Sequence, residues 1–91
     1  MTPLEVATAW THLAGHGAVP GPIAARTREL LVGAVEGEHA TGSRAAVPGV
    51  RVAGKTGTAP LVGPDGAVQA DRTLASFVGL VPADDPDLVV L

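Results

Sequence analysis

Residues 55–58 combine groups that could bind an anionic compound carrying an acyl group. Lys55 is the only lysine of the chain, which otherwise carries five arginines, and Thr56, Gly57 and Thr58 follow it. An ammonium group is a compact, rotatable cation, whereas a guanidinium group is a planar fork. The preceding segment, Val50–Gly54, alternates as a half-buried strand does. A strand that ends in this run beside a cleft would present a cation, two hydroxyls and backbone N–H groups.

The same lysine completes a match to the phosphate-binding loop of nucleotide-binding proteins. Residues 49–56 fit the pattern G-x-x-x-x-G-K-[ST] at every position. That pattern binds phosphate only when a buried strand precedes it and a helix begins near the lysine. Here a polar loop precedes the run, its middle residues favour a strand, and Gly57 and Pro60 oppose a helix. A nucleotide site would therefore require a helix that begins near Lys55, against the local pattern.

A first amphipathic helix is predicted over residues 2–14. Thr2 is a suitable N-cap, Pro3 occupies the first helical position, and Glu5 completes a capping box with Thr2. Gly15 is placed to end the helix in a left-handed conformation. The side chains predicted to share its buried face are Val6, Trp10, Leu13 and Ala14.

A second helix is predicted over residues 25–36, after an extended connection at 18–23. Gly33 weakens it by about 1 kcal/mol relative to alanine, so packing must hold it. From Gly37 to Gly49 the composition favours a loop. The side chains predicted to be buried in this helix are Leu30, Leu31, Ala34 and Val35.

The rest of the chain favours β structure. Strands are predicted at about 50–58, 73–81 and 87–91, with a long loop between the first two and a turn at Pro82–Pro86 between the last two. The sequence stops within the apolar run Leu88–Leu91. An uncapped apolar strand invites pairing along its edge. We therefore expect the chain to be truncated here.

Composition excludes several classes of function. The 91 residues allow at most one small domain, and the aromatic residues are only Trp10 and Phe77. A net charge of −3 without a basic run argues against nucleic acid as a partner. The absence of cysteine rules out disulfides, thiolate zinc sites and cysteine nucleophiles. The sequence has no stretch that predicts a membrane span or a secretory signal.

Three segments, in order, resemble the C-terminal part of the transpeptidase domain of penicillin-binding proteins. They are Thr2–Ala7 of the first helix, Val52–Ala59 around Lys-Thr-Gly, and Ala75–Pro86. Lys-Thr-Gly is one of the short active-site motifs of penicillin-interacting serine enzymes. The resemblance implies an α+β fold with two helices and a three-stranded antiparallel sheet. It also implies that residues 1–91 form one partial transpeptidase domain, its C-terminal half.

The resemblance assigns roles to four residues. Lys55 would bind the substrate carboxylate and take part in the catalytic proton network, and Thr56 and Thr58 would offer hydroxyls to the same carboxylate. Gly57 would let the acyl donor lie close to the strand. The backbone N–H of Thr58 would be one donor of the oxyanion hole. The expected ligands are a peptidoglycan stem peptide ending in D-Ala-D-Ala and β-lactams that mimic it, with no cofactor.

The remaining motifs of that family are missing. A Ser-x-x-Lys nucleophile is impossible, because Lys55 is the only lysine and neither Ser43 nor Ser76 has a lysine three positions later. A Ser-x-Asn motif is impossible because the chain has no asparagine. The chain is therefore expected to be the downstream part of a longer enzyme and inactive alone. The complete protein would lie at the extracytoplasmic face of a bacterial membrane.

Other candidates are weaker. One alternative function is a non-catalytic module that binds peptidoglycan peptides or a partner without acylation. His12 and His16 have a spacing that can bind a metal, but they lack an evident third ligand, so they are expected to face solvent. Asp84, Asp85 and Asp87 lack the spacing of a calcium loop and are expected to form the turn. Trp10 is expected in the core.

Overall fold

The computed structural model describes residues 2–15 and 17–91 as two helices and one antiparallel sheet. The elements are α1 (Pro3–Trp10), α2 (Gly21–Glu36), a 3₁₀ turn (Ser43–Ala45), β1 (Ala53–Val62), β2 (Val68–Val81) and β3 (Leu88–Val90). The strands lie in the order β1-β2-β3, and both pairs are antiparallel. The predicted α+β class, with two helices and three antiparallel strands, is confirmed. Within the described ranges, each helix is too short or too polar to cross a bilayer.

Helix α1 starts as the sequence predicts and ends earlier. Thr2 Oγ1 accepts a hydrogen bond from Glu5 N at 3.2 Å, and Glu5 Oε1 accepts one from Thr2 N at 3.0 Å. The bond from the Thr2 backbone is the main reason why the pKa of Glu5 is lowered. Beyond Trp10 the chain turns through tighter bonds, such as Ala14 N to Thr11 O at 3.1 Å. This tightening satisfies carbonyl groups at the helix end, so the regular helix is shorter than predicted.

Helix α2 begins four residues before the predicted start. Gly21 opens it, and the backbone N–H groups of Ile23 and Ala24 both donate to Pro20 O. The extended connection predicted over 18–23 is therefore wrong for its last three residues. Proline is tolerated in the first turn because the N–H groups there have no partner within the helix. This property let Pro22 enter the helix.

Sequence analysis identified the buried face of α2 only in part. Ala24, Val32 and Val35 are buried, whereas Leu30 is 66% exposed. The predicted burial of Leu30 is wrong. Successive residues are about 100° apart around a helix, so Leu30 lies almost opposite Val32. Of the predicted set, Val35 is fully buried.

Strands β1 and β2 form a longer hairpin than predicted. Val47 and Val50 pair with each other in a tight turn, and β1 starts only at Ala53. The strand then continues to Val62. Most of the predicted long loop is therefore strand. Gly63 N donates to Ala67 O at 2.8 Å across the connecting turn, where Gly66 has a φ of 80° that favours glycine.

The hydrophobic core lies at the end of the hairpin away from this turn. Five buried residues form it, and the half-buried side chains of Trp10, Leu13, Leu31 and Val89 pack against them. Leu80 is fully buried in this cluster. The core therefore joins both helical segments to the sheet directly beside the start of β1. Its buried members are Ala14, Val32, Ala53, Leu80 and Ala83.

Candidate functional site at the outer edge of strand β1

The segment Lys55–Thr58 lies in β1, directly after the part of the strand that is buried in the core. Lys55 is paired with Val78, and Gly57 with Ser76. Because side chains alternate along a strand, Lys55 and position 57 share one face of the sheet with Val78 and Ser76. Thr56 and Thr58 lie on the opposite face. The cation therefore lies on one face and the two hydroxyls on the other. The outer edge of β1, which is the side of the strand that faces away from β2, borders both faces.

Two contacts and the position of one proline define which backbone groups face the outer edge. Lys55 Nζ donates to Thr56 O at 2.9 Å, so this carbonyl is reached from outside the hairpin. Ser76 Oγ lies 3.4 Å from Gly57 O, which places the next carbonyl on the β2 side. Pro60 is four residues after Thr56, so its backbone nitrogen faces the same side of the strand. Proline has no N–H, which fits a position that does not bond to β2. Since the direction of the backbone groups alternates in an antiparallel pair, the N–H of Thr58 also points to the outer edge.

A groove of about 560 Å³ lies over the face of the sheet that carries Lys55, Val78 and Ser76. Lys55, Thr56 and Gly57 form one of its walls, and Trp10 on α1 lines it as well. Trp10 is half-buried and also packs on the core, so it has both the core position that was predicted and a place in the groove. The groove thus combines one cation with a largely apolar lining. Its other lining residues are Pro3, Val6, Leu74, Ser76, Val78 and Leu91.

The opposite face of the strand is held by a contact that sequence analysis missed. Thr56 Oγ1 donates to Thr41 Oγ1 at 3.0 Å, across 15 residues of sequence. The ring of Phe77 covers the paired glycines Gly54 and Gly79 on the same face. A Cβ on Gly54 would lie 2.7 Å from Phe77 Cε2. Two glycines that face each other next to an aromatic residue are the sequence pattern that could have revealed this packing.

Two arginines join the segments that surround the start of β1. Arg51 forms a bidentate ion pair with Glu29, with N–O distances of 2.9 and 3.0 Å, and a second ion pair with Asp84. The hydrogen bonds from Arg51 lower the pKa of Glu29, and the bond to Glu29 raises the pKa of Arg51. Arg28 donates to Ala83 O at 2.8 Å and to Leu13 O, in the turn after α1, at 2.7 Å. Asp84 has the predicted turn position and in addition pairs with Arg51.

Comparison with known proteins decides the family. The family model of the penicillin binding protein transpeptidase domain matches residues 1–91. The chain belongs to this family.

Named relatives of this transpeptidase-family chain are much longer proteins. It is 54% identical over 50 residues to stage V sporulation protein D of Bacillus subtilis. It is 41% identical over 70 residues to a peptidoglycan D,D-transpeptidase FtsI homolog of Nephroselmis olivacea, and 44% over 54 residues to penicillin-binding protein PbpB of Mycolicibacterium smegmatis. These matches cover 55%, 72% and 58% of this chain but only 8%, 10% and 8% of the three relatives. No solved structure matches the chain.

The structure also excludes one of the two interpretations of Lys55. A phosphate-binding loop requires a helix that begins near this lysine. Lys55 is instead the third residue of β1, which continues to Val62. The nucleotide-binding alternative is therefore wrong, and the Lys-Thr-Gly run of this transpeptidase-family chain lies on a strand.

The predicted histidine pair can be followed only in part. His12 is exposed, and its Nδ1 accepts a hydrogen bond from Ala18 N at 3.0 Å. His16 lies outside the described residues, so the pair as a whole stays a prediction. Within residues 2–15 and 17–91, no three His, Asp or Glu side chains are grouped closely enough to hold a metal ion.

Proposed function

We propose that this chain is the C-terminal part of a serine D,D-transpeptidase domain, and that the outer edge of β1 binds the carboxylate end of the donor peptide. The observation that carries the proposal is the position of the Lys55 ammonium, 2.9 Å from Thr56 O at the edge toward which Thr58 N–H also points. A ligand along this edge meets a cation and a backbone donor within four residues. The adjoining groove provides room for the peptide.

The residues of the segment share the work in this proposal, in which Thr56 and Thr58 offer hydroxyls to the substrate carboxylate. Lys55 pairs with the terminal carboxylate through a charge-assisted hydrogen bond. Thr58 N–H donates to the oxyanion of the tetrahedral intermediate, and one such donor is worth about 3–4 kcal/mol of activation free energy. At Gly57 a Cβ would come within 2.9 Å of Ser76 Oγ and would project into the groove. Its absence lets the acyl donor approach the backbone closely.

The nucleophile belongs to the rest of the proposed domain. The chain has neither a Ser-x-x-Lys sequence nor any asparagine. Without a nucleophile no acyl-enzyme forms, so the chain alone is inactive. Large apolar side chains left exposed on the strands and at the residue after β3 support its being part of a larger core. They are Val62, Val68, Leu74, Leu88, Val90 and Leu91.

In the complete protein, this domain acts at the extracytoplasmic face of a bacterial membrane. There it transfers a peptidyl group between peptidoglycan stem peptides through a serine acyl-enzyme. β-Lactams bind the same edge because they present a carboxylate and an acyl carbon as the donor does. The names of the relatives, two of which include penicillin binding or D,D-transpeptidase activity, support this assignment.

The binding half of the proposal is tested by titrating the chain with N-acetyl-D-Ala-D-Ala and with its C-terminal amide, followed by backbone NMR shifts. We expect the free acid to shift residues 55–58 and the amide to have a much smaller effect. Lys55→Gln should weaken binding of the acid roughly tenfold, the value of one charge-assisted hydrogen bond. Arg72→Gln removes a positive charge from the far part of β2 and should leave binding unchanged. Equal binding of acid and amide would contradict the proposal.

The catalytic half is tested with fluorescent penicillin. The purified chain should form no covalent adduct, whereas the native polypeptide that carries this sequence should be labelled as a much larger band. Ser76 is the hydroxyl of interest, because it lies on the Lys55 face and its Oγ is 3.4 Å from Gly57 O. A stoichiometric adduct on Ser76 or Ser43 would overturn the claim that the nucleophile lies elsewhere. An unlabelled product of the size of this chain in cells would favour the non-catalytic binding module.

A further inference from the structure

A second cavity, of about 330 Å³, lies on the Thr56 face of the strand. It is separated from the groove at Lys55 by β1 itself, because Lys55 and Thr56 point to opposite faces. The loop and the 3₁₀ turn that follow α2 form one side of the cavity, and Phe77 of β2 and Thr56 form the other. Its lining residues are Thr41, Gly42, Arg44, Ala45, Thr56 and Phe77.

The charge in this cavity comes from Arg44. Two other arginines are already engaged, since Arg28 donates to backbone carbonyls and Arg51 pairs with two carboxylates. Among the residues that the structure describes, no carboxylate lies within ion-pair distance of Arg44. A guanidinium group binds a carboxylate through two parallel hydrogen bonds. Arg44 therefore has this capacity available at the cavity.

The segment that carries Arg44 is anchored. Gly42 N donates to Ala34 O of α2 at 2.9 Å, and Ala45 N donates to Gly42 O at 2.9 Å. A Cβ on Gly42 would lie 3.3 Å from Phe77 Cε2, so backbone and ring are in close contact. Anchoring of this kind reduces the conformational entropy that the segment loses when a ligand binds.

We propose that this cavity is a second binding site, specific for a carboxylate carried on a flat apolar group. Arg44 binds the carboxylate, the Phe77 ring contacts the apolar group, and the Thr56 hydroxyl turns from Thr41 to the ligand. This site goes beyond the proposed function, because it uses the face of β1 opposite to Lys55. The two sites share Thr56, so a ligand in the cavity acts on the central residue of the Lys-Thr-Gly run.

Benzoate and benzamide are the probes that test this site on the full chain. They share shape and ring, and only benzoate carries the charge that Arg44 would bind. We expect benzoate to shift the backbone NMR signals of Thr41, Gly42 and Thr56 in a saturable way, and benzamide to shift them at least fivefold less. Arg44→Gln should abolish the benzoate shifts, Arg44→Lys should reduce them, and Arg72→Gln should preserve them. Equal shifts by both compounds would overturn the proposal.

Further variants separate this site from the outer edge and from a purely structural role of Arg44. Lys55→Gln should weaken binding of N-acetyl-D-Ala-D-Ala and leave the benzoate shifts intact, whereas Arg44→Gln should do the reverse. Arg44 also lies two residues after Gly42, whose N–H donates to Ala34 O in the last turn of α2, and a cation near a helix C-terminus is stabilising. If Arg44→Gln lowers the melting temperature and leaves the benzoate shifts unchanged, Arg44 serves only the helix and the proposal fails. If Arg44→Gln does not fold, Arg44→Lys with the two probes gives the same decision.

Discussion

The two ends of the β1–β2 hairpin differ in what surrounds them. At one end Ala53 and Leu80 are fully buried in the core, whereas at the other Val62 and Val68 are 62% and 61% exposed. Residues 55–58 lie where the hairpin leaves the core. The buried end fixes the position and register of β1, and the exposed part leaves its outer edge accessible. A segment in this position has a rigid backbone and can still be reached by a ligand.

The largest expected effect tests whether stability resides in the buried end. Leu80→Ala removes a fully buried side chain and should lower the free energy of unfolding by about 2–5 kcal/mol. Leu74→Ala makes the same change on the same strand at a residue that is 61% exposed, and should cost at most about 0.5 kcal/mol. Urea unfolding of both variants measures the difference. Similar losses in the two variants would show that the exposed part also contributes to the core.

A second prediction concerns the packing that separates the two regions. Gly54→Ala places a Cβ against the Phe77 ring and the Val78 carbonyl, and should cost about 1–3 kcal/mol. Gly33→Ala is the matched control, since a Cβ there meets no atom within 4 Å and should stabilise α2 by about 1 kcal/mol. If the ring is the obstacle, Phe77→Leu should relieve part of the Gly54→Ala cost in the double variant. Additive losses would contradict this explanation.

Sequence patterns predicted the local features of both regions. The capping box of Thr2 and Glu5, the three strands and the position of Lys55 on a strand all follow from residues close together in the chain. The four candidate site residues were also selected in this way, and their catalytic and binding roles stay predictions. All residues between the first two predicted strands were assigned to one long loop. Only residues 63–67 form the turn, because cross-strand pairing overrides weak local preference over the rest.

Features that depend on distant residues were missed. The contact of Thr56 with Thr41 and the cover of Gly54 by Phe77 join segments that are 15 or more residues apart. The ion pair of Arg51 with Glu29 spans 22 residues. Such pairs leave no periodic signal in a single sequence, because each partner alone is compatible with many surroundings. The exposure of Leu30 was missed because tertiary packing decides which side of α2 faces the core.

A third prediction tests the direction of the backbone groups at residues 57 and 58. Proline at position 58 removes an N–H that points to the outer edge, so Thr58→Pro should leave the pairing with β2 intact. Gly57→Pro removes an N–H on the β2 side and should cost about 1 kcal/mol more, the value of one hydrogen bond. Thermal unfolding of the two variants measures the difference. A larger loss for Thr58→Pro would reverse the assigned alternation and remove Thr58 N–H as an oxyanion donor.

The smallest expected effect concerns the ion pair that holds the buried end to α2. Arg51 lowers the pKa of Glu29 below its ordinary value of 4.5, mainly through hydrogen bonds. The stabilisation is therefore present above pH 4.5 and is lost as the pH falls below it toward the lowered pKa. It is small because both side chains are substantially exposed.

Urea midpoints measured between about pH 6 and 3 should fall more steeply for the unmodified chain than for Arg51→Gln. Glu5 also has a lowered pKa, but it contributes equally to both proteins and cancels. Arg72→Gln should follow the unmodified chain, and parallel curves for Arg51→Gln would show that the pair contributes nothing to the buried end.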